Sequence, residues 1–340
     1  MKRIAAGVLC ALMTLSIAAC DKMDFYKPEP TDPDMSGVPV ATVNDIIVVG
    51  DTAYEPYYFR QETADKYAAA VNKARQVLPS GCRVFDILVP TAIDITLAKS
   101  VRDKVSSDSQ LDGINYIYGK VNDTVTKVEL YDTLRYHRDE YIYFRTDHHY
   151  TARGAWYAYL QYCDAAGIKA ADLDNDFTVS MFQNYHGSFY RKTDNYKTLT
   201  TPDYVVAYVP KDTNDIKITQ KNKKKLDWSI VRDASKWDNT NLYNCFIGGD
   251  QPFAVITNNA VKNDSSCLVI KESYGNPFVP YLVPNYNKIY VVDYRYYSSV
   301  SKKKIAEVVK ENNIKDVIFI NNMSMTRNPS LVSDLSKFVG

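Results

Sequence analysis

The sequence predicts an α/β protein: a mostly parallel, doubly wound sheet with flanking helices and a β-rich insert. Three observations carry this expectation. A strand–helix–strand order opens the chain after its leader, with Val43–Gly50, Thr63–Leu78 and Arg83–Val89. The same order returns near the end, with Cys267–Ile270, a turn and short helix from Pro277, Lys288–Asp293, Ser301–Asn312 and Ile314–Ile320. Between them, Asp172–Ala260 has short alternating runs and many Asn, Asp, Lys and Thr, the pattern of antiparallel strands and long loops.

The first twenty residues read as a leader rather than as fold. Lys2 and Arg3 form a basic start, and Ile4–Ile17 is an apolar run of about fourteen residues, too short for a comfortable membrane span. Ile17-Ala18-Ala19-Cys20 then matches a bacterial lipobox, in which small residues admit the signal peptidase and the Cys20 thiol accepts lipid. An ordinary signal peptide with a chance cysteine is the plainer alternative. Residues 21–40 are polar and carry Pro28, Pro30, Pro33 and Pro39, so they read as a tether. The expected location is the cell envelope, with the mature protein anchored by lipid rather than spanning the membrane.

The remaining residues, about 300, suffice for one large domain over 41–340, with its insert at about 172–260. The formal charge of +1 argues against nucleic acid, which asks for a basic face. Tyrosine is abundant at 28 residues, a composition that suits sugars but also an aromatic core. Beyond Cys10 and Cys20, the cysteines are Cys82, Cys163, Cys245 and Cys267, with no C-x-x-C pair. Buried inert thiols are the default, and one or two unassigned disulfides are compatible with an oxidising compartment.

Along the domain, Tyr67, Ala70, Val71, Ala74 and Leu78 share one helical face, with Thr63 as the expected cap and Pro79-Ser80-Gly81 as the stop. Arg83–Val89 is rich in β-formers and ends at Pro90-Thr91. Ser106–Gly113 reads as loop, and Ile114–Tyr118 fits either a strand or a helix. Thr151 caps a helix running to about Ala166, and Gly167 ends it. In the insert, Tyr204–Val209, Ile216–Thr219, Cys245–Ile247 and Ala254–Thr257 read as strands, and Lys223-Lys224-Lys225 as a hairpin tip.

Two stretches carry the chemistry. Tyr143–Tyr159 reads YFRTDHHYTARGAWYAY and holds Asp147 and His149 two residues apart, just ahead of a helix start. Leu268–Pro280 offers Ser273 on a strand-to-helix turn, with Asn276 as a cap and Pro277 at the first helical position. A serine hydroxyl needs a base to become a nucleophile. In an extended segment residues i and i+2 face one side, so Asp147 can orient His149 and leave its other ring nitrogen for Ser273. His148 then points away, into a structural hydrogen bond. For an oxyanion, the Ser273 N–H is the first candidate, followed by Asn276, Asn321 and Asn322. Arg145 and Arg295 border the motifs and suit either a carboxylated sugar or plain ion pairs, and Tyr150 is a further candidate on the substrate side. Metal binding by the Asp-His-His run and a purely structural polar cluster are the competing readings; His137 and His186 lack the spacing to complete a metal site.

The run Tyr143–Tyr159 resembles the signature of the DHHW family of bacterial envelope proteins, whose four letters fall on positions 147–150. The resemblance extends to Val89-Pro90-Thr91, His186-Gly187-Ser188-Phe189-Tyr190, Lys271–Phe278 and Val291–Tyr296. Those proteins resemble the SGNH-hydrolase-like alginate O-acetyltransferases of the AlgX/AlgJ type, in which an Asp-x-His motif precedes the catalytic serine. The resemblance implies an SGNH-like, flavodoxin-like sheet, with Asp147, His149 and Ser273 as the triad and no cofactor. Its implied activity is serine-dependent O-acetyl transfer or acetyl-ester hydrolysis on surface polysaccharide, with the acyl donor unassigned. Tyr150 stands where the family has Trp, and Glu272 where Asp commonly precedes the serine. A non-catalytic glycan-binding or assembly lipoprotein on the same scaffold is the alternative, and a metal-dependent hydrolase is the third.

Overall fold

The computed structural model describes residues 31–340. The leader, Cys20 and the first half of the tether lie outside the described residues. The tether's end is held: Asp32 accepts from Lys99 N–H at 2.7 Å and pairs with Arg138 at 2.8 Å.

The first apolar run is a hairpin rather than a parallel strand. β1 (Val40–Val43) and β2 (Ile46–Val49) pair antiparallel, and β3 (Thr52–Tyr54) pairs antiparallel with β2 in a separate three-stranded sheet. The reversal occurs at Asn44 and Asp45, both left-handed at φ 49° and 64°, a conformation these two residue types tolerate and two-residue hairpins require.

Helix α1 (Gln61–Val77) buries Tyr67, Ala70, Val71 and Ala74 along the face their spacing implies. It starts two residues before Thr63, which is buried inside it, and the N-cap residue Arg60 makes no side-chain cap. β4 (Arg83–Val89) follows. Helix α2 (Gln110–Tyr118) begins inside the segment expected to be loop, because Ser109 caps it by accepting from Asp112 N–H at 3.1 Å. After β5 (Thr126–Val128), α3 (Ala152–Ala166) has both expected ends: Thr151 accepts from Gly154 N–H, and Gly167 turns left-handed at φ 63°.

The insert divides. β6 (Phe177–Tyr185) and β7 (Asp203–Pro210) form a two-stranded ribbon, whereas β8 (Asp215–Thr219), β9 (Lys225–Ser229) and β10 (Phe253–Thr257) extend the main sheet. The lysine run is the β8–β9 hairpin tip, as expected. Cys245–Ile247 is not a strand. Leu242–Cys245 is a 3-10 turn, and Ile247, Gly248 and Gly249 are all left-handed, which no strand can accommodate.

β11 (Ser266–Lys271), β12 (Lys288–Asp293), α4 (Ile305–Asn312), β13 (Asp316–Asn322) and α5 (Pro329–Val339) complete the fold. The main sheet runs β5-β4-β13-β11-β12-β10-β8-β9, its first five strands mutually parallel and the last three antiparallel additions. Successive side chains of a strand face opposite layers. Ile318 and Ile320 therefore pack with α3, while Val317 and Phe319 pack with α1, α2, α4 and α5. Helices on both faces make the α/β sandwich the sequence implies. Ser273 follows the C-terminal end of β11, between β12 and β13, where open α/β sheets bind ligands.

All four described cysteines are free and buried, so no disulfide joins them. Burial raises their thiols, Cys82 to about 11, which keeps them inert. Among the described residues, no helix is long and apolar enough to cross a membrane.

Candidate active site

The Asp-His-His segment is a tight loop pinned at its neck. Tyr143 and Tyr150 form a β-bridge, Phe144 N–H donates to His149 O at 3.3 Å, and Thr151 N–H donates to Ile142 O at 2.9 Å. Inside the loop, Asp147 Oδ1 accepts from His149 N–H at 3.0 Å and lies 2.5 Å from His149 Nδ1. The opposite ring nitrogen, Nε2, is 2.8 Å from Ser273 Oγ, contributed from 124 residues downstream. All three side chains are buried, Ser273 at 7 % exposure on the floor of a cleft of about 410 Å³. The structure thus brings Asp147, His149 and Ser273 into one continuous hydrogen-bonded line. His148 turns aside, as expected, with Nδ1 2.6 Å from Ser188 Oγ, and edges the cleft.

Asp147 is fixed from behind. Its Oδ2 accepts from Ser188 N–H at 2.6 Å. Gly187 makes this approach possible: a Cβ there would sit 2.2 Å from Asp147 Cβ. Gly187 N–H donates to Thr146 Oγ1 at 3.0 Å, and that hydroxyl donates to buried Asp203 at 2.6 Å. Burial alone would raise the Asp147 carboxyl, but the two neighbouring imidazoles and the Ser188 amide hold it well below the usual carboxylate range. Burial, then the adjacent His149, pushes His148 below the ordinary histidine value.

Tyr243 completes the imidazole's setting. Its ring stacks on His149 with centroids 3.8 Å apart at 13°, and its hydroxyl donates to Ser273 O at 2.8 Å. Tyr243 sits in the 3-10 turn of the insert, and no local sequence pattern marked it. Tyr274 crosses to the other motif by donating its hydroxyl to His148 O.

The serine turn is anchored by charge. Lys271 is fully buried, 2.5 Å from Asn276 Oδ1, 3.2 Å from Asp293 and 3.6 Å from Asp250. Arg295 forks onto Asp293 at 2.8 and 2.6 Å and reaches Asp250 at 2.9 Å. Glu272, beside Ser273, accepts from Ser273 Oγ and Tyr274 N–H, each at 3.1 Å, and from Asn322 N–H at 3.0 Å. Burial raises its carboxyl, against the pull of Arg295 and the two backbone amides.

The other candidates separate. Asn276 caps no helix from Pro277; it closes the 3-10 turn Ser273–Gly275, and its side chain is engaged by Lys271 and by Asp250 at 3.1 Å. Asn321 points into the opposite layer, bonded to Tyr294 and Tyr67 hydroxyls, because strand alternation turns it from the site. Asn322 does border the cleft, although its side chain caps the next turn at Met325 N–H. Arg145 binds Asp203, Asp51 and Pro202 O and does not line the Ser273 cleft. Arg295 lines it, with its guanidinium committed to Asp293 and Asp250. Tyr150 is fully buried, stacked on Tyr274 with no partner for its hydroxyl among the described residues, and is part of the core.

Asp147, His148 and His149 are also the one carboxylate–imidazole group, among the described residues, compact enough to hold a metal ion. Their inward-facing atoms already bond to one another, to Ser188 and to Ser273.

Two proteins of known structure share this arrangement of chain. A DHHW family protein from Eubacterium siraeum matches over 88 % of this chain and 97 % of its own, at 27 % identity and a TM-score of 0.79. Bacillus cereus PatB1, whose structures include one with a sulfonyl adduct, shares the fold at 20 % identity and a TM-score of 0.69, covering 86 % of this chain and 99 % of its own. The O-acetyltransferase domain of Pseudomonas putida AlgJ is more distant, at 13 % identity and a TM-score of 0.49, over 88 % of this chain and 99 % of its own. No curated protein matches the sequence. The family model described as DHHW protein matches residues 26–292, most of the chain, and the chain belongs to the DHHW protein family.

Proposed function

We propose that this protein is a serine-dependent O-acetyltransferase or acetylesterase acting on polysaccharide of the bacterial cell envelope, tethered by lipid at Cys20. The observation that carries the reading is the unbroken line from Asp147 through His149 to Ser273 at the floor of a cleft. His149 Nε2 takes the Ser273 proton as Oγ attacks an acetyl carbonyl, and Asp147 holds the imidazolium that forms. His149 returns that proton to the leaving alkoxide. An acceptor hydroxyl, or water, then gives its proton to His149 and attacks the acetyl–serine ester, and Ser273 Oγ recovers the proton as it leaves. The Ser273 N–H, heading a 3-10 turn beyond β11, serves the oxyanion. The Tyr274 and Asn322 amides are occupied by Glu272.

The non-catalytic reading has one observation in its favour. Glu272 is a second acceptor for the Ser273 hydroxyl, in competition with His149. Hydrolysis of p-nitrophenyl acetate by the purified protein separates the two. Turnover lost in Ser273→Ala and in His149→Ala supports the enzyme; turnover unchanged in Ser273→Ala discards it.

A further inference from the structure

Beside the Ser273 cleft opens a second and larger one, of about 930 Å³, which the acyl-transfer line does not use. Both are lined by Glu55, Lys192 and Arg327, so they adjoin as two parts of one trough. Its far part lies between the β1–β2 hairpin, through Thr42 and Ile47, and the extended segment Pro56–Tyr58. Most tyrosine rings here are core, but Tyr58 is 42 % exposed. The Arg327 guanidinium lies 5.9 Å from the Tyr58 ring centre. The guanidinium is held in place by Pro56 O at 3.3 Å and Glu55 at 3.7 Å. Lys104 and Lys192 also line the trough and make no ion pair among the described residues.

A partly exposed aromatic ring beside two lysine ammonium groups without ion pairs is chemistry that suits a sugar: the sugar's C–H face stacks on the ring, and its hydroxyls accept from the ammonium groups. We infer that this trough is an acceptor-binding groove for a linear glycan several sugars long, with the reacting sugar over Ser273 and its neighbours running past Arg327 onto Tyr58. The inference rests on the function proposed above and adds chain length and the Tyr58 subsite to it. A single sugar would fill only the Ser273 cleft, so affinity rises with length until the chain reaches Tyr58.

Two ligand series of increasing length, N-acetylglucosamine oligomers and galacturonic acid oligomers, test this by calorimetric titration of the Ser273→Ala protein, which binds without turnover. The expected result is affinity that climbs with length in at least one series. Tyr58→Ala in the same background flattens the climb by about fivefold to tenfold for the longest oligomer, and Tyr58→Phe restores it. Thermal melting of each variant guards against a folding defect. No binding in either series, length-independent binding, or a climb that survives Tyr58→Ala overturns the groove. Failure of the parent protein to hydrolyse p-nitrophenyl acetate, with the length dependence intact, overturns the enzymatic reading alone and leaves the groove standing.

Discussion

Replacing Gly187 by alanine is the sharpest perturbation of the site that touches none of its reacting atoms. Gly187 has φ −80° and ψ −168°, an extended conformation that alanine adopts without strain. The added methyl would lie 2.2 Å from Asp147 Cβ and 2.6 Å from both its Cα and Oδ2. Unstrained carbon contacts lie near about 3.5–4.0 Å, so the two segments must part by more than about 1 Å. That displacement breaks the 2.6 Å bond from Ser188 N–H and moves the carboxylate that holds His149. A misplacement of about 1 Å in a catalytic group costs about a hundredfold in rate, and a lost bond to a buried charge about 1–3 kcal/mol in stability. The assay is kcat/KM for p-nitrophenyl acetate alongside urea unfolding. Gly81→Ala is the control, because a Cβ there meets no atom within 4 Å. The account expects Gly187→Ala to fold and to lose about two orders of magnitude in activity while Gly81→Ala matches the parent. Parent-like turnover in Gly187→Ala would refute the claim that Asp147 must be held where it is.

Three further outcomes follow from other parts of the structure. Lys271→Met leaves Asp250 and Asp293 sharing only Arg295 and frees the Asn276 oxygen; urea melts should show a loss of about 3–5 kcal/mol, and an unchanged midpoint would mean the buried lysine is dispensable. Tyr243→Phe keeps the ring stacked on His149 but drops the bond to Ser273 O, so kcat should fall about fivefold, with KM for a small ester little changed. Burial pushes Asp86 up to about 7, against the Tyr67 hydrogen bond, so between the ordinary carboxylate value and about 7 the unfolded chain is ionised while the folded chain keeps its proton. Stability from this group is therefore full below about pH 4 and falls by roughly 4 kcal/mol as pH rises to about 7. Asp86→Asn should remove that decline, and parallel stability–pH curves for parent and variant would contradict the assignment.

What was legible in the sequence was local. Thr151 and Gly167 mark both ends of α3 because capping depends on residues within one turn. The apolar runs of β4, β11, β12 and β13 announce buried parallel strands. Asp147 and His149 are two apart, and Ser273 follows a strand, so the sequence alone suggests their pairing. The hairpin at Asn44-Asp45 was missed because two short apolar strands flank it, and the run reads as one. Tyr243 and the Lys271–Asp250–Asp293 cluster that receives Arg295 carry no local signal for a different reason. Apart from Asp293 and Arg295, two residues apart, their partners are 21 to 94 residues away in sequence, and only the folded sheet brings them together. Asn321 and Arg145 were attractive by position, yet strand alternation and Asp203 turn them to structural work.

The measurement closest to the central claim is peptide mass spectrometry after exposure to phenylmethylsulfonyl fluoride, a reagent that captures serines activated by a neighbouring base. A single sulfonylated peptide carrying Ser273, lost in His149→Ala and weakened in Asp147→Asn, is the predicted result. Labelling that spares Ser273, or that persists on it without the His149 imidazole, would contradict the account.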